Sequence, residues 1–65
     1  NGIITIIVGD KKLIGTTARV FDEAGKLLQT IRITATAQSV NLSNYLNGIY
    51  FIILDNKQSL KIIKQ

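Results

Sequence analysis

The sequence predicts an all-β domain, a small antiparallel Ig-like β-sandwich of six to seven short strands. Three observations lead there. Apolar and β-branched residues come in short runs, turn-forming Gly, Asn and Asp residues punctuate those runs, and no segment carries helical periodicity over a helix's length. The chain of 65 residues contains no proline, no convincing internal repeat and no low-complexity linker, so residues 1–65 read as a single module.

Taken in order, Ile3 to Val8 is almost wholly β-branched. That composition favours a strand with both faces covered. Gly9-Asp10-Lys11-Lys12 supplies a turn, and after Gly15 the segment Thr16 to Phe21 alternates polar and apolar residues. Asp22-Glu23-Ala24-Gly25 is hairpin chemistry, with Asp22 early in the reversal and Gly25 late, where a positive φ is needed. From Lys26 to Ile33 a period of two puts Leu27, Ile31 and Ile33 on one face and Lys26, Thr30 and Arg32 on the other. Thr34 to Ser39 is small and polar and reads as a loop, and Val40 and Leu42 mark a short strand. Asn41, Ser43 and Asn44 favour side-chain to backbone bonding and a tight turn before Gly48. The segment Ile49 to Asp55, a turn at Asn56-Lys57-Gln58 and a strand from Ser59 to Lys64 complete the pattern.

Composition excludes several classes of function. Without Cys or His there is no disulfide framework, no thiolate metal site and no imidazole base, and no cofactor is expected. The longest apolar run, Ile49 to Leu54, is far short of the about 20 residues a membrane helix needs, so no direct membrane span is expected. Eight basic residues face Asp10, Asp22, Glu23 and Asp55, a net charge of +4. The basic residues are scattered over turns and strands without interleaved aromatics, which argues against nucleic acid as a partner.

Each chemical motif has a plainer explanation. Asp22 and Glu23 are adjacent carboxylates, but neighbours at a strand end point to opposite sides and the following glycine fits a reversal. Gly9 to Gly15 lacks the Gly-Lys-Ser/Thr ending of a phosphate loop. The serines have no His to activate them, so no catalytic residue is assigned and the chain is read as non-enzymatic. Asn41-Leu42-Ser43 matches a glycosylation acceptor tripeptide, a pattern common by chance. Tyr50 is more specific. A tyrosine opening a core strand just after a turn can bond back to upstream backbone and lock a Greek-key crossover, and Leu46, Gly48 and Tyr50 have the spacing for it; ordinary burial of the ring is the alternative. The run Tyr50 to Leu54 is apolar on both faces. Either Phe51 and Ile53, or Tyr50, Ile52 and Leu54, are therefore expected to be covered by a cargo domain or a second chain, with a homodimer through residues 49–54 as one form.

Four pieces together, Ala18 to Leu28, Val40 to Ser43, Leu46 to Phe51 and Lys61-Ile62-Ile63-Lys64, resemble in order and spacing the type A C-terminal sorting domain of the type IX (Por) secretion system of Bacteroidetes. The resemblance spans roughly residues 3 to 65. It implies a detachable sandwich that is the substrate of a secretion machine, not a catalyst. The implied partners are an N-terminal cargo domain, the outer-membrane translocon and a sortase-like cysteine peptidase that cuts upstream. The implied route runs through the periplasm to the outer membrane and cell surface, or to release. The family's Gly-x-Tyr turn and terminal lysine strand correspond to Gly48, Tyr50, Lys61 and Lys64. Lys61 and Lys64 are the candidates for translocon recognition, on a strand expected at a sheet edge and open to strand addition. Leu46, Gly48, Tyr50, Asp22 and Gly25 are the fold-signature positions.

The family usually opens with a Pro-Asn-Pro segment and a further strand. This chain begins Asn1-Gly2-Ile3 without an initiator Met and reads as an excised piece whose opening was trimmed. The competing expectation is a fibronectin-III-like or Ig-like spacer or adhesion module of a secreted enzyme, which shares the fold and differs by its place in the precursor.

Overall fold

Period-two patterning and turn chemistry build six strands in the computed structural model, which describes residues 2–65: β1 (Ile3–Ile7), β2 (Thr17–Asp22), β3 (Leu27–Arg32), β4 (Ala37–Asn41), β5 (Gly48–Ile53) and β6 (Ser59–Lys64). Asn1, where the trimmed-opening expectation begins, lies outside the described residues. The strands form two antiparallel sheets, a pair β1-β4 and a four-stranded sheet in the order β3-β2-β5-β6. This is the small all-β sandwich that the patterning predicts. The chain changes sheets between β1 and β2, returns between β3 and β4, and crosses again between β4 and β5.

The core lies between the sheets. Ala18 and Val20 of β2 and Tyr50 and Ile52 of β5 point inward from the larger sheet, meeting Ile6 of β1 and Val40 of β4. Val8, Ile33, Leu42 and Leu54, each one residue beyond a strand end, and Leu13, in the connection between β1 and β2, complete the core. Among the described residues no buried residue is polar or charged, so the core incurs no unpaired-charge cost. Gln29, on the inward face of β3 opposite Val20, donates its Nε2 to the Asn41 carbonyl of β4 at 3.1 Å and ties the two sheets along one side.

Four local expectations change. Of Ile3 to Val8, residues Ile3–Ile7 form a strand, but only one face is covered, for Ile3 and Ile7 are 59% and 71% exposed. β-Branching selects extended backbone, whereas a second cover needs a third layer that this fold lacks. Leu27 points outward instead of sharing a face with Ile31 and Ile33. Val20 pairs with Gln29 while Phe21 pairs with Leu27, so Leu28 is an extra residue in β3; this bulge swaps the faces, sending Leu27 out beside Phe21 and packing Leu28 on the core. Residues 37–39 belong to β4 and not to the preceding loop, because their backbone pairs with β1. The turn after Gly9 is a single 3-10 turn over Lys11–Leu13, capped by Asp10, whose Oδ1 accepts from the Lys12 amide at 2.9 Å.

The two hairpins of the larger sheet share one turn chemistry. In the first, the Gly25 amide donates to the Asp22 carbonyl, the Asp22 amide donates to the Lys26 carbonyl, and Gly25 sits at φ +88°. The Asp22 carboxylate adds bonds from the Ala24 and Lys26 amides, both at 2.9 Å. In the second, Lys57 donates to the Leu54 carbonyl, Leu54 donates to Gln58, and Lys57 holds φ +73°. Each is a three-residue reversal ending in a left-handed residue, and in the second that residue carries a Cβ. Lys57→Gly is therefore expected to stabilise the domain by about 0.5–1 kcal/mol, and Gly25→Ala to destabilise it by about 1 kcal/mol or more, in urea unfolding. Equal midpoints for wild type and both variants would contradict this.

Candidate functional site

Leu46, Gly48, Tyr50 and Lys64 come together at one crossover, residues 42–47 between β4 and β5, whereas Asp22 and Gly25 build the β2–β3 turn and Lys61 lies on the outer face of the sheet. The crossover is made locally. Asn41 Oδ1 accepts from the Ser43 amide at 2.9 Å and from Ser43 Oγ at 2.6 Å, and the Tyr45 amide donates to the Leu42 carbonyl at 3.0 Å. Gly48 then starts β5 at φ +156°, where an added Cβ would meet nothing within 4 Å. The requirement for glycine there is one of backbone conformation and not of space.

Two side chains fasten this crossover from elsewhere. Tyr50 lies in the core at 7% exposure, and its hydroxyl donates to the Leu46 carbonyl. Its ring stands 5.9 Å from that of Tyr45, centroid to centroid, tilted by 36°. Lys64, at the end of β6, turns its half-buried side chain inward, and Nζ donates to the Leu42 carbonyl at 3.0 Å and to the Tyr45 carbonyl. Register explains the reach: Lys64 lies opposite Gly48 on β5, on the same side of the sheet as Ile62 and Leu60 and directly beside the crossover. An ammonium shared by two carbonyls makes charge-assisted bonds, which are stronger than neutral ones.

Lys61 has different surroundings. It lies opposite Phe51, on the outer face of the sheet, and is exposed. β6 is an edge strand, so one side of its backbone faces away from β5. Leu46 contributes to the crossover through its carbonyl alone; its side chain, 86% exposed, is the most exposed of the large apolar groups. Sequence patterning offers no signal for that exposure, because the side chain sits on an irregular turn.

Of the two faces of β5, Tyr50, Ile52 and Leu54 are covered by this chain's own second sheet. Phe51 and Ile53 line an open groove of about 370 Å³ with Phe21, Asp22, Glu23 and Gly25. Phe21 belongs to this face through the alternation that buries Ala18 and Val20, a signal present in the sequence. Asp22 is occupied by its turn, and among the described residues no group of three or more acidic, His or Cys side chains is placed to hold a metal ion. No helix among the described residues is long and apolar enough to cross a membrane.

The site is thus a two-sheet sandwich with a clamped crossover and a basic edge strand. The model of the secretion-system C-terminal sorting domain family matches residues 1–65, the whole chain, and the chain belongs to that family, the type IX sorting domains. No curated protein and no solved structure matches it. Membership implies a cargo on the N-terminal side, the secretion system as the reader, and export to the cell surface or beyond.

The clamp makes separate demands on two side chains. Tyr50→Phe is expected to cost about 1–2 kcal/mol and Lys64→Met about 1–3 kcal/mol in urea unfolding, each raising amide exchange across residues 42–48. Unchanged exchange there in both variants would remove the clamp from the account.

Proposed function

We propose that this domain is a non-catalytic address. It directs an N-terminal cargo from the periplasm through the outer-membrane translocon of the type IX system, after which a sortase-like cysteine peptidase cuts upstream of it and the cargo is anchored at the surface or released. The observation that carries the proposal is the family match over all of residues 1–65. The absence of His and Cys is in keeping with a domain that is acted upon.

The two lysines divide the work. Lys61 is the side chain the translocon reads, since it is exposed on an edge strand where a receptor can add a strand of its own and meet a fixed positive charge. Lys64 serves recognition indirectly, by holding the crossover against the end of β6 so that the edge is presented in one conformation. Ile63, 60% exposed, flanks Lys61 on the same outer face and supplies apolar contact to the receptor. The rest of that face, around Phe51, is left for a second protein surface.

A periplasmic reporter carrying this domain tests the assignment in strains with and without a working type IX system. Export is expected only in the first strain. Lys61→Ala should reduce it several-fold with the melting temperature of the domain unchanged, whereas Lys64→Ala should reduce export and melting temperature together. Normal export of the Lys61→Ala fusion would sink the role given to Lys61, and export independent of the system would sink the sorting function.

A further inference from the structure

We propose that the outer face of the four-stranded sheet is a self-association surface, on which a second copy of this chain docks about a twofold axis. This rests on the reading that the Phe51 face is left for another protein surface.

Cross-strand pairing sets Leu27, Phe21, Phe51 and Lys61 in one row across β3, β2, β5 and β6. Next to it on one side is the row Thr30, Arg19, Ile53, Ser59. On the other side Ile49 pairs with Ile63, and Glu23, immediately past the end of β2, lines the same groove as Phe21, Phe51 and Ile53. The face is thus apolar along its middle, positive at one end of β2 through Arg19, and negative at the other through Glu23. Both charged residues are exposed.

Such a pattern is self-complementary under one operation. Two copies of a surface meet face to face through a twofold axis lying between them and parallel to the sheets. An axis along the Phe21–Phe51 row reverses strand direction from one copy to the next. Phe51 then meets Phe51, Ile53 meets Ile49, and Arg19 meets Glu23, two residues to either side of Phe21. The Arg19–Glu23 contact occurs twice, once at each end. Any other partner needs an opposite-ended charge pattern of its own, whereas a second copy supplies it by symmetry. Lys61 falls opposite Lys61, but on an edge strand, where its long stem lets the charge remain in water.

The size of the face sets the strength. Four strands about 4.8 Å apart and six residues long at about 3.3 Å per residue present a patch of roughly 20 by 20 Å, on the order of 400 Å² per copy, against about 800 Å² per partner in a standard stable interface. The complex is accordingly a weak dimer, populated where the domain is concentrated and easily opened to single copies.

Sedimentation equilibrium of this chain from about 10 μM to 1 mM tests the proposal. A monomer–dimer equilibrium is expected. Phe51→Lys should abolish it while leaving the melting temperature within a few degrees, because Phe51 lies outside the core. Arg19→Glu and Glu23→Arg should each weaken dimerisation about tenfold, since each places two like-charged pairs in contact, and the double variant should return to within about threefold of wild type. A monomer at 1 mM, a dimer indifferent to Phe51→Lys, or a double variant no better than the single ones would overturn the proposal. Phe51→Ser provides a second variant should Phe51→Lys unfold. Reporter export scores the sorting function separately, so either idea can fail while the other stands.

Discussion

A phenol placed inside an apolar core must find an acceptor, and in this domain the acceptor is the carbonyl of Leu46, four residues upstream of Tyr50. Much of the architecture depends on that bond. The crossover from β4 to β5 carries the chain from one sheet to the other with no regular ladder to hold it, in a chain without cysteine whose described residues form six strands and no acidic cluster placed to hold a metal ion. By ending its hydroxyl on the crossover backbone, Tyr50 makes one side chain belong both to the core and to the loop. Tyr45 adds a ring beside it, and Lys64 brings the end of β6 to the same backbone. Three positions separated in sequence thereby fix one connection.

This arrangement joins stability to recognition. A small sandwich buries a limited share of its surface and has little stability to spare, so an edge strand at its margin would ordinarily fray. Lys64 opposes fraying by exchanging water for two carbonyls, at the strand end where loss of order begins. Order in β6 then depends on the crossover and the crossover on β6. Under the proposed reading, in which the β6 edge is recognised, recognition of that edge also reports whether the domain is folded.

The outer face follows from the same economy of layers. One sheet of two strands covers only the inner side of the four-stranded sheet, so Phe21, Phe51 and Ile53 remain on a surface this chain does not cover. An uncovered apolar strip on an exported module invites non-specific pairing. Arg19, Glu23 and Lys61 around it restrict what can settle there, because a partner must match their charges as well as the apolar ridge.

Much of this was legible in the residues. Alternation through Ala18 and Val20 announced β2, the Asp22-to-Gly25 tetrad announced its hairpin, and the order and spacing of the Leu46-Gly48-Tyr50 and Lys61-Lys64 pieces announced the family, because each depends on chemistry within a few positions. The bulge at Leu28, the half-open β1 and the inward turn of Lys64 were not legible, since each is settled by what lies opposite on another strand. An outward Leu27 and an exposed Ile7 look like core residues until register and layer are known. The sequence by itself determined the fold class, most of the strands and turns, and the absence of imidazole and thiol chemistry. Only the tertiary structure decided which face of β5 is core and which of two similar lysines is free, because the side of a strand and the reach of a side chain are defined by neighbours distant in the chain.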